Sequence, residues 1–332
     1  MTGSVRLVEV IRGDRVESVH RGHAVICDAG GVVEAWGDAG AVIYPRSACK
    51  MIQALPLLES GAGDGLSERQ VALACASHTG AAMHRSMVTD WLAALGRGDA
   101  DLRCGPQEPS DIEERDRLIR AGEAPGQVHN NCSGKHNCSG KHSGFLALAR
   151  QLGGGPEYNE IGHPVQAAIR AAFEEVTGME SPGWALDGCS APNFATRIDA
   201  LAGAMARFAT ARDEGDGRAR AMVRLRRAMG AAPELVAGEG RACTGLMRAM
   251  EGRVAVKTGA EGVFTAIVPE TGLGVAVKIE DGATRAAEAV IAALLVRMGV
   301  LAAEAPIARE LTQGPIRNRN GFVTGGYRVA LG

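Results

Sequence analysis

The sequence predicts an α+β protein: an antiparallel sheet built from both chain ends, flanked by helices, with a helical insertion between them. Two observations carry this reading. β-branched runs open the chain and return after residue 250, and the stretch between them has helical periodicity. The alternating strand–helix order of a nucleotide-binding fold is absent. With 332 residues, the expectation is a single domain over 1–332. Its sheet part draws on about 1–45 and 250–332, and its helical region on about 46–249.

The elements follow in order. Val5–Ile11 and His23–Cys27 read as strands, and the Asp28-Ala29-Gly30-Gly31 turn returns the second into Val32–Trp36 as a hairpin. Ser47 to Leu58 reads as one helix, with Met51, Leu55 and Leu58 on one face. Ser67-Glu68-Arg69-Gln70 is a capping box that opens a second helix, and a third runs from about Ala82 to Leu95. Residues 96–128 are polar and punctuated by Gly and Pro, a long loop with short helical turns. Helices are expected at about 144–152, 158–177, 194–211 and 217–229. Strands follow at Arg253–Lys257, Gly262–Val268 and Gly274–Ile279, then an apolar helix from about Ala283 to Met298.

Composition excludes several classes. Apolar residues make up 46% and charged residues 22%, enough for a packed core and unlike a disordered chain. A net charge of −2 offers no basic surface for nucleic acid or acidic lipid. No apolar run reaches the roughly 20 residues needed to cross a bilayer. The charged N-terminus lacks a signal-peptide core, and the eight Cys read as reduced thiols, so the expected location is the cytoplasm.

Of the 36 Lys and Arg, only five are Lys, at positions 50, 135, 141, 257 and 278. Genomic base composition explains an excess of Arg. Lys, unlike Arg, loses its proton when desolvated, so each surviving Lys is informative. Ser47-Ala48-Cys49-Lys50 fits S-x-x-K, and helical spacing puts hydroxyl and amine on one face within hydrogen-bond reach. A buried Lys50 would then serve as base for a nucleophilic Ser47. Lys257-Thr258-Gly259 ends a late strand and fits K-T-G. Each motif alone is weak, since a solvated helix face gives S-x-x-K by chance. Their order together is the signature of penicillin-recognising serine hydrolases. Ser77-His78-Thr79 is the candidate second hydroxyl; it is not S-D-N, which leaves β-lactam chemistry unsupported. No P-loop, G-x-S-x-G, H-E-x-x-H or dinucleotide fingerprint occurs.

Asn131–His136 is copied at once as Asn137–His142, a perfect tandem repeat. Cys132, Cys138 and Cys189 with His129, His136 and His142 form a soft-ligand set suited to zinc, although ordinary reduced cysteines fit the spacing equally well.

These blocks together resemble the Rhizobium etli-type (class 3) L-asparaginases. The blocks are Pro45–Lys50 with Gln53-Ala54, Cys75–His78, either copy of the repeat, Asp187-Gly188-Cys189, Ala237–Arg241 and Val277–Gly282. The resemblance implies a fold similar to serine β-lactamases and penicillin-binding proteins. It also implies a homodimer and hydrolysis of L-asparagine to L-aspartate and ammonia. Carried over, its Ser–Lys tandems are Ser47 with Lys50 and Ser77 with Lys257. Its zinc site is Cys189 with one Cys-Ser-Gly-Lys copy. A liganding Lys must be a neutral amine, because ammonium has no lone pair.

The tandem copy departs from the family pattern. Six residues turn a helix by about 600°, so both copies cannot face one site. A helix beginning near Ser143 is held in phase by its apolar face, which favours Cys138 and Lys141 as ligands, with Cys132 and Lys135 looped out. Asp187 is the expected partner of the substrate ammonium, and Arg46 or Arg241 of its carboxylate. Two other functions stay open: another serine amidohydrolase of the same fold, such as a glutaminase or penicillin-recognising enzyme, or a non-enzymatic zinc-binding protein.

Overall fold

The computed structural model describes residues 3–123 and 137–331. Its main sheet is antiparallel, and both chain ends contribute to it. In spatial order the strands are Ile316–Arg317, Val323–Val329, Val5–Arg12, Arg15–Asp28, Leu273–Ile279, Val263–Val268 and Ala255–Thr258. Gly31–Trp36 pairs with the far half of Arg15–Asp28, as Ala24↔Trp36 and Val25↔Ala35. The α+β class read from the sequence is therefore the observed one.

Every residue of Val263–Val268 is buried, as are nearly all of Leu273–Ile279. Strands with no solvated face need cover on both sides. The helices Ile198–Thr210 and Thr284–Arg297 both pack on these central strands. Gly274 shows how close the first lies: a Cβ there would sit 2.1 Å from Ala206 N and 2.3 Å from Ala202 O. Only a residue without a side chain lets the helix backbone approach so far.

Several expectations change in detail. The second strand is longer than its apolar run, because Arg15–Gly22 pairs with Val5–Arg12 although its side chains are mostly polar and exposed. The single helix expected over Ser47–Leu58 is broken into a 3-10 turn Arg46–Cys49 and short helices Lys50–Gln53 and Leu55–Glu59. Pro56 lacks the N–H that a continuous helix would donate to Ile52. Within the expected loop 96–128, Ile112–Arg120 forms a helix capped by Asp111, whose side chain accepts from Glu114 N–H. The Ser67 capping box is present as read. The helix expected at 144–152 starts earlier, at Ser139, with Cys138 at its N-cap. A short hairpin, Trp184–Leu186 with Pro192–Phe194, was invisible to periodicity because each strand has three residues. The C-terminal helix Pro306–Gln313 and the strand Val323–Val329 were also missed. Among the described residues no helix is long and apolar enough to cross a membrane.

Candidate active site

Segments far apart in sequence meet at one cleft of about 250 Å³, lined among others by Ser47, Ser77, His78, Arg241, Thr258 and Gly259. The turn Arg46–Cys49 lies against the end of the strand Ala255–Thr258. Gly259 makes this contact possible, since a Cβ there would lie 2.8 Å from Pro45 O and 3.0 Å from Ala48 N. Thr265 Oγ1 ties the same turn to the sheet by donating to Ala48 O at 2.9 Å. Arg46, just before Ser47, holds a left-handed φ of 52°, a conformation that costs free energy in a non-glycine residue.

Both lysines of the motifs are buried, and both reach one hydroxyl. Ser77 Oγ lies 2.9 Å from Lys50 Nζ and 2.8 Å from Lys257 Nζ. Lys257 also donates to Thr258 O at 2.7 Å. Burial, and then the charge of Lys50, lower its pKa to about 7. Lys50 donates in addition to Ala76 O and, at 3.0 Å, to Cys138 Sγ. Its three N–H bonds thus meet three acceptors.

The hydrogen bond expected between Ser47 and Lys50 does not form. Among the described residues Ser47 Oγ has no hydrogen-bond partner, and the Lys50 amine turns to Ser77 instead. The Lys50 amine spends its donors on Ser77 Oγ, Ala76 O and Cys138 Sγ, contacts made by tertiary packing that draw it away from Ser47.

The Ser77 segment is held from several sides. Ser77 N–H donates to Val236 O, and His78 N–H donates to Asn137 O. His78 Nδ1 accepts from Gly80 N–H, which leaves the ring proton on Nε2, 3.0 Å from Ser139 Oγ. The imidazole therefore links the Ser77 loop to the first residue of the helix Ser139–Gln151. Sequence reading gave His78 no such role, because its partners lie on another segment.

The soft-ligand residues also converge. Lys141 in the first turn of that helix places Nζ 3.0 Å from Cys189 Sγ, and both are buried. Cys189 is delivered by the tip of the Trp184–Phe194 hairpin, where Ser190 N–H donates to Asp187 O and Ser190 adopts a φ of 64°. A hydrogen bond with Cys138 holds the Cys189 thiol well below its ordinary pKa against the opposing effect of burial, helped by the Lys141 charge. For Lys141, burial favours the neutral amine, but the Cys189 and Cys138 sulfurs outweigh it and raise its pKa. The two cysteine sulfurs suit zinc, and Lys141 would complete the set as a ligand on losing its proton to a bound metal. Among the described residues no three His, Cys, Asp or Glu side chains gather to hold a metal, so this set depends on its Lys. His142 is not part of it; its Nδ1 pairs with Tyr158 Oη at 2.9 Å. Cys132 and Lys135, expected to be looped out, lie outside the described residues, as do His129 and His136.

The three residues expected to hold the substrate's charged ends separate. Arg241 lines the cleft with Ser47 and Ser77. Arg46 Nε donates to Asp187 Oδ1 at 2.8 Å, so these two pair with each other in the wall beside it. Burial raises the Asp187 pKa, but Lys141 and Arg46 outweigh that and keep it below the ordinary value.

The sequence profile of L-asparaginase II matches residues 8–137 and 136–329. The chain belongs to the L-asparaginase II family. Family membership makes it an asparaginase-type amidohydrolase, as the motif blocks led us to expect. The two matched stretches overlap at His136–Asn137, the seam between the tandem copies. No curated protein sequence matches the chain.

Among solved structures, it is similar to a β-lactamase from Mycobacterium bovis, at 14% identity and TM-score 0.45, covering 83% of this chain and 94% of that one. It is also similar to an octameric penicillin-binding protein homologue from Pyrococcus abyssi, at 15% identity and TM-score 0.40, covering 90% and 80%. A β-lactamase-like protein from Bacteroides dorei gives 13% identity and TM-score 0.41, covering 78% and 84%.

Proposed function

We propose that the protein hydrolyses L-asparagine to L-aspartate and ammonia through an acyl-enzyme on Ser47. The observation that carries the reading is Ser77 Oγ between Lys50 and Lys257, in the cleft that Ser47 lines. Asparagine's α-carboxylate faces Arg241, which lines the cleft, while Asp187, outside the cleft lining, is held by Arg46. Ser47 Oγ attacks the side-chain amide carbon, and its proton enters the Lys50–Ser77–Lys257 array, whose neutral member is Lys257. Collapse breaks the C–N bond, and the array returns the proton to the departing nitrogen, which leaves as ammonia. Water then cleaves the β-aspartyl ester, releasing aspartate and restoring the Ser47 hydroxyl. Contact between Ser47 and this array tightens when substrate fills the cleft, as catalytic hydrogen bonds commonly do.

Cys138, Lys141 and Cys189 would hold a zinc ion. When bound, it supplies positive charge that neutralises the thiolates and keeps Lys141 as an amine. The chain's own residues then fix the hairpin tip that carries Asp187. A homodimer in the cytoplasm belongs to the same reading.

The test is ammonia release from L-asparagine and from L-glutamine by the parent protein, Ser47→Ala and Ser77→Ala. Turnover of asparagine that collapses in both variants supports the reading, and preference for glutamine sinks the substrate assignment. A second reading has one observation in its favour: Ser77, not Ser47, holds the lysines. It predicts that the acyl group is trapped on Ser77.

A further inference from the structure

On the other side of the Arg46–Ser47 turn lies a second cleft of about 370 Å³, within the size range of small-molecule sites. It shares no lining residue with the Ser47–Ser77 cleft. Tyr44, Arg46, Leu186, Asn193, Glu261 and Lys278 line it. Arg46 and Glu261 each immediately flank a residue of the catalytic cleft, Ser47 and Ala260, so the two cavities stand back to back along these segments.

Asn193 is the first pointer. It is 3% exposed, yet neither end of its side-chain amide has a hydrogen-bond partner among the described residues, and Oδ1 is fully enclosed. Buried amides are nearly always paired, so an unpaired one lining a cavity calls for a ligand. Charge is the second. Lys278 is 9% exposed; its Nζ donates to the carbonyls of Glu261 and Ile279 and keeps a third N–H. Arg46 spends Nε on Asp187, while its terminal nitrogens make no hydrogen bond, and Nη1 stands 4.0 Å from the Glu261 carboxylate. The third is backbone strain: Arg46 and Glu261 both hold left-handed φ, 52° and 58°, at the cleft wall.

We propose that this cleft binds a small carboxylate that carries one further hydrogen-bond donor and one further acceptor. The carboxylate meets Arg46 and Lys278, the donor meets Asn193 Oδ1, and the acceptor takes the Asn193 Nδ2–H. Small amino acids with an acid or amide side chain are the class that fits. The site stands on its own geometry and does not depend on the reaction proposed above.

The test is calorimetric titration of L-aspartate, which undergoes no turnover, into the full chain. Arg241→Gln removes the cation of the catalytic cleft, and aspartate binding should persist in it. Adding Lys278→Gln, or Asn193→Leu, which is close in size and removes both hydrogen-bonding ends, should then weaken binding at least tenfold. The melting temperature of each variant reports that the fold is kept. No aspartate binding to the parent, or binding lost with Arg241→Gln and untouched by Lys278→Gln and Asn193→Leu, overturns the proposal. Absence of asparaginase activity alongside retained binding would sink the proposed reaction and leave this site standing.

Discussion

Lys257 Nζ lies 2.8 Å from Ser77 Oγ, although 180 residues of chain separate the two. The strand Ala255–Thr258 presents the amine, and the segment after the helix Glu68–Ala74 presents the hydroxyl. Because Lys257 is buried beside a second ammonium, it changes charge near neutral pH rather than in the usual lysine range.

The first prediction is the pH profile. Lys257 accepts a proton only when neutral, and its pKa is about 7. Activity should therefore be low in acid, rise with pH through about 7 and level off above it. Lys257→Arg keeps the charge but cannot lose it, and should reduce kcat by on the order of 10²–10⁴. A profile that stays flat from acid through neutral pH would remove Lys257 from the base role.

The tandem copy gives a second prediction. Cys138 and Lys141 sit at the start of the helix Ser139–Gln151, against Cys189. Metal analysis of purified protein should find one zinc per chain, retained in Cys132→Ser and in a deletion of residues 131–136. It should be lost in Cys138→Ser, in Cys189→Ser and in Lys141→Arg, since a guanidinium offers no lone pair. Zinc lost on Cys132→Ser and kept on Cys138→Ser would assign the site to the first copy.

The core carries a third. Gly274 brings the helix Ile198–Thr210 onto the sheet, and an added methyl would press on Ala206 N and Ala202 O, both backbone atoms that cannot turn aside. Gly274→Ala should cost about 1–3 kcal/mol, read from the midpoint of denaturant unfolding. Gly65→Ala, where nothing lies within 4 Å of the new Cβ, serves as the comparison. Equal midpoints for the two would mean that the helix stands further from the sheet.

Much of this was legible in the sequence, and what was not has physical causes. Val263–Val268 and Leu273–Ile279 announce themselves because buried strands are continuous apolar runs. Arg15–Gly22 does not, because it pairs through its backbone while its side chains face water. Ser47, Lys50, Ser77 and Lys257 could be singled out from motifs, and the fold brings both amines to the Ser77 hydroxyl in the cleft that Ser47 lines. The partner of Lys50 could not. Spacing within one helix pointed to Ser47, whereas tertiary packing gave the amine to Ser77, Ala76 and Cys138. The pairing of Arg46 with Asp187, 141 residues apart, was hidden for the same reason. Sequence named these as binding residues, and only the fold shows that they bind each other.

The central claim is that Ser47 carries the acyl group while Ser77 and Lys257 handle the proton. Intact-protein mass spectrometry after rapid mixing with L-asparagine and acid quenching tests it most directly. An added aspartyl mass is expected, mapped by peptide digestion to Ser47 and absent in Ser47→Ala. Label on Ser77, or turnover that survives Ser47→Ala, would contradict it.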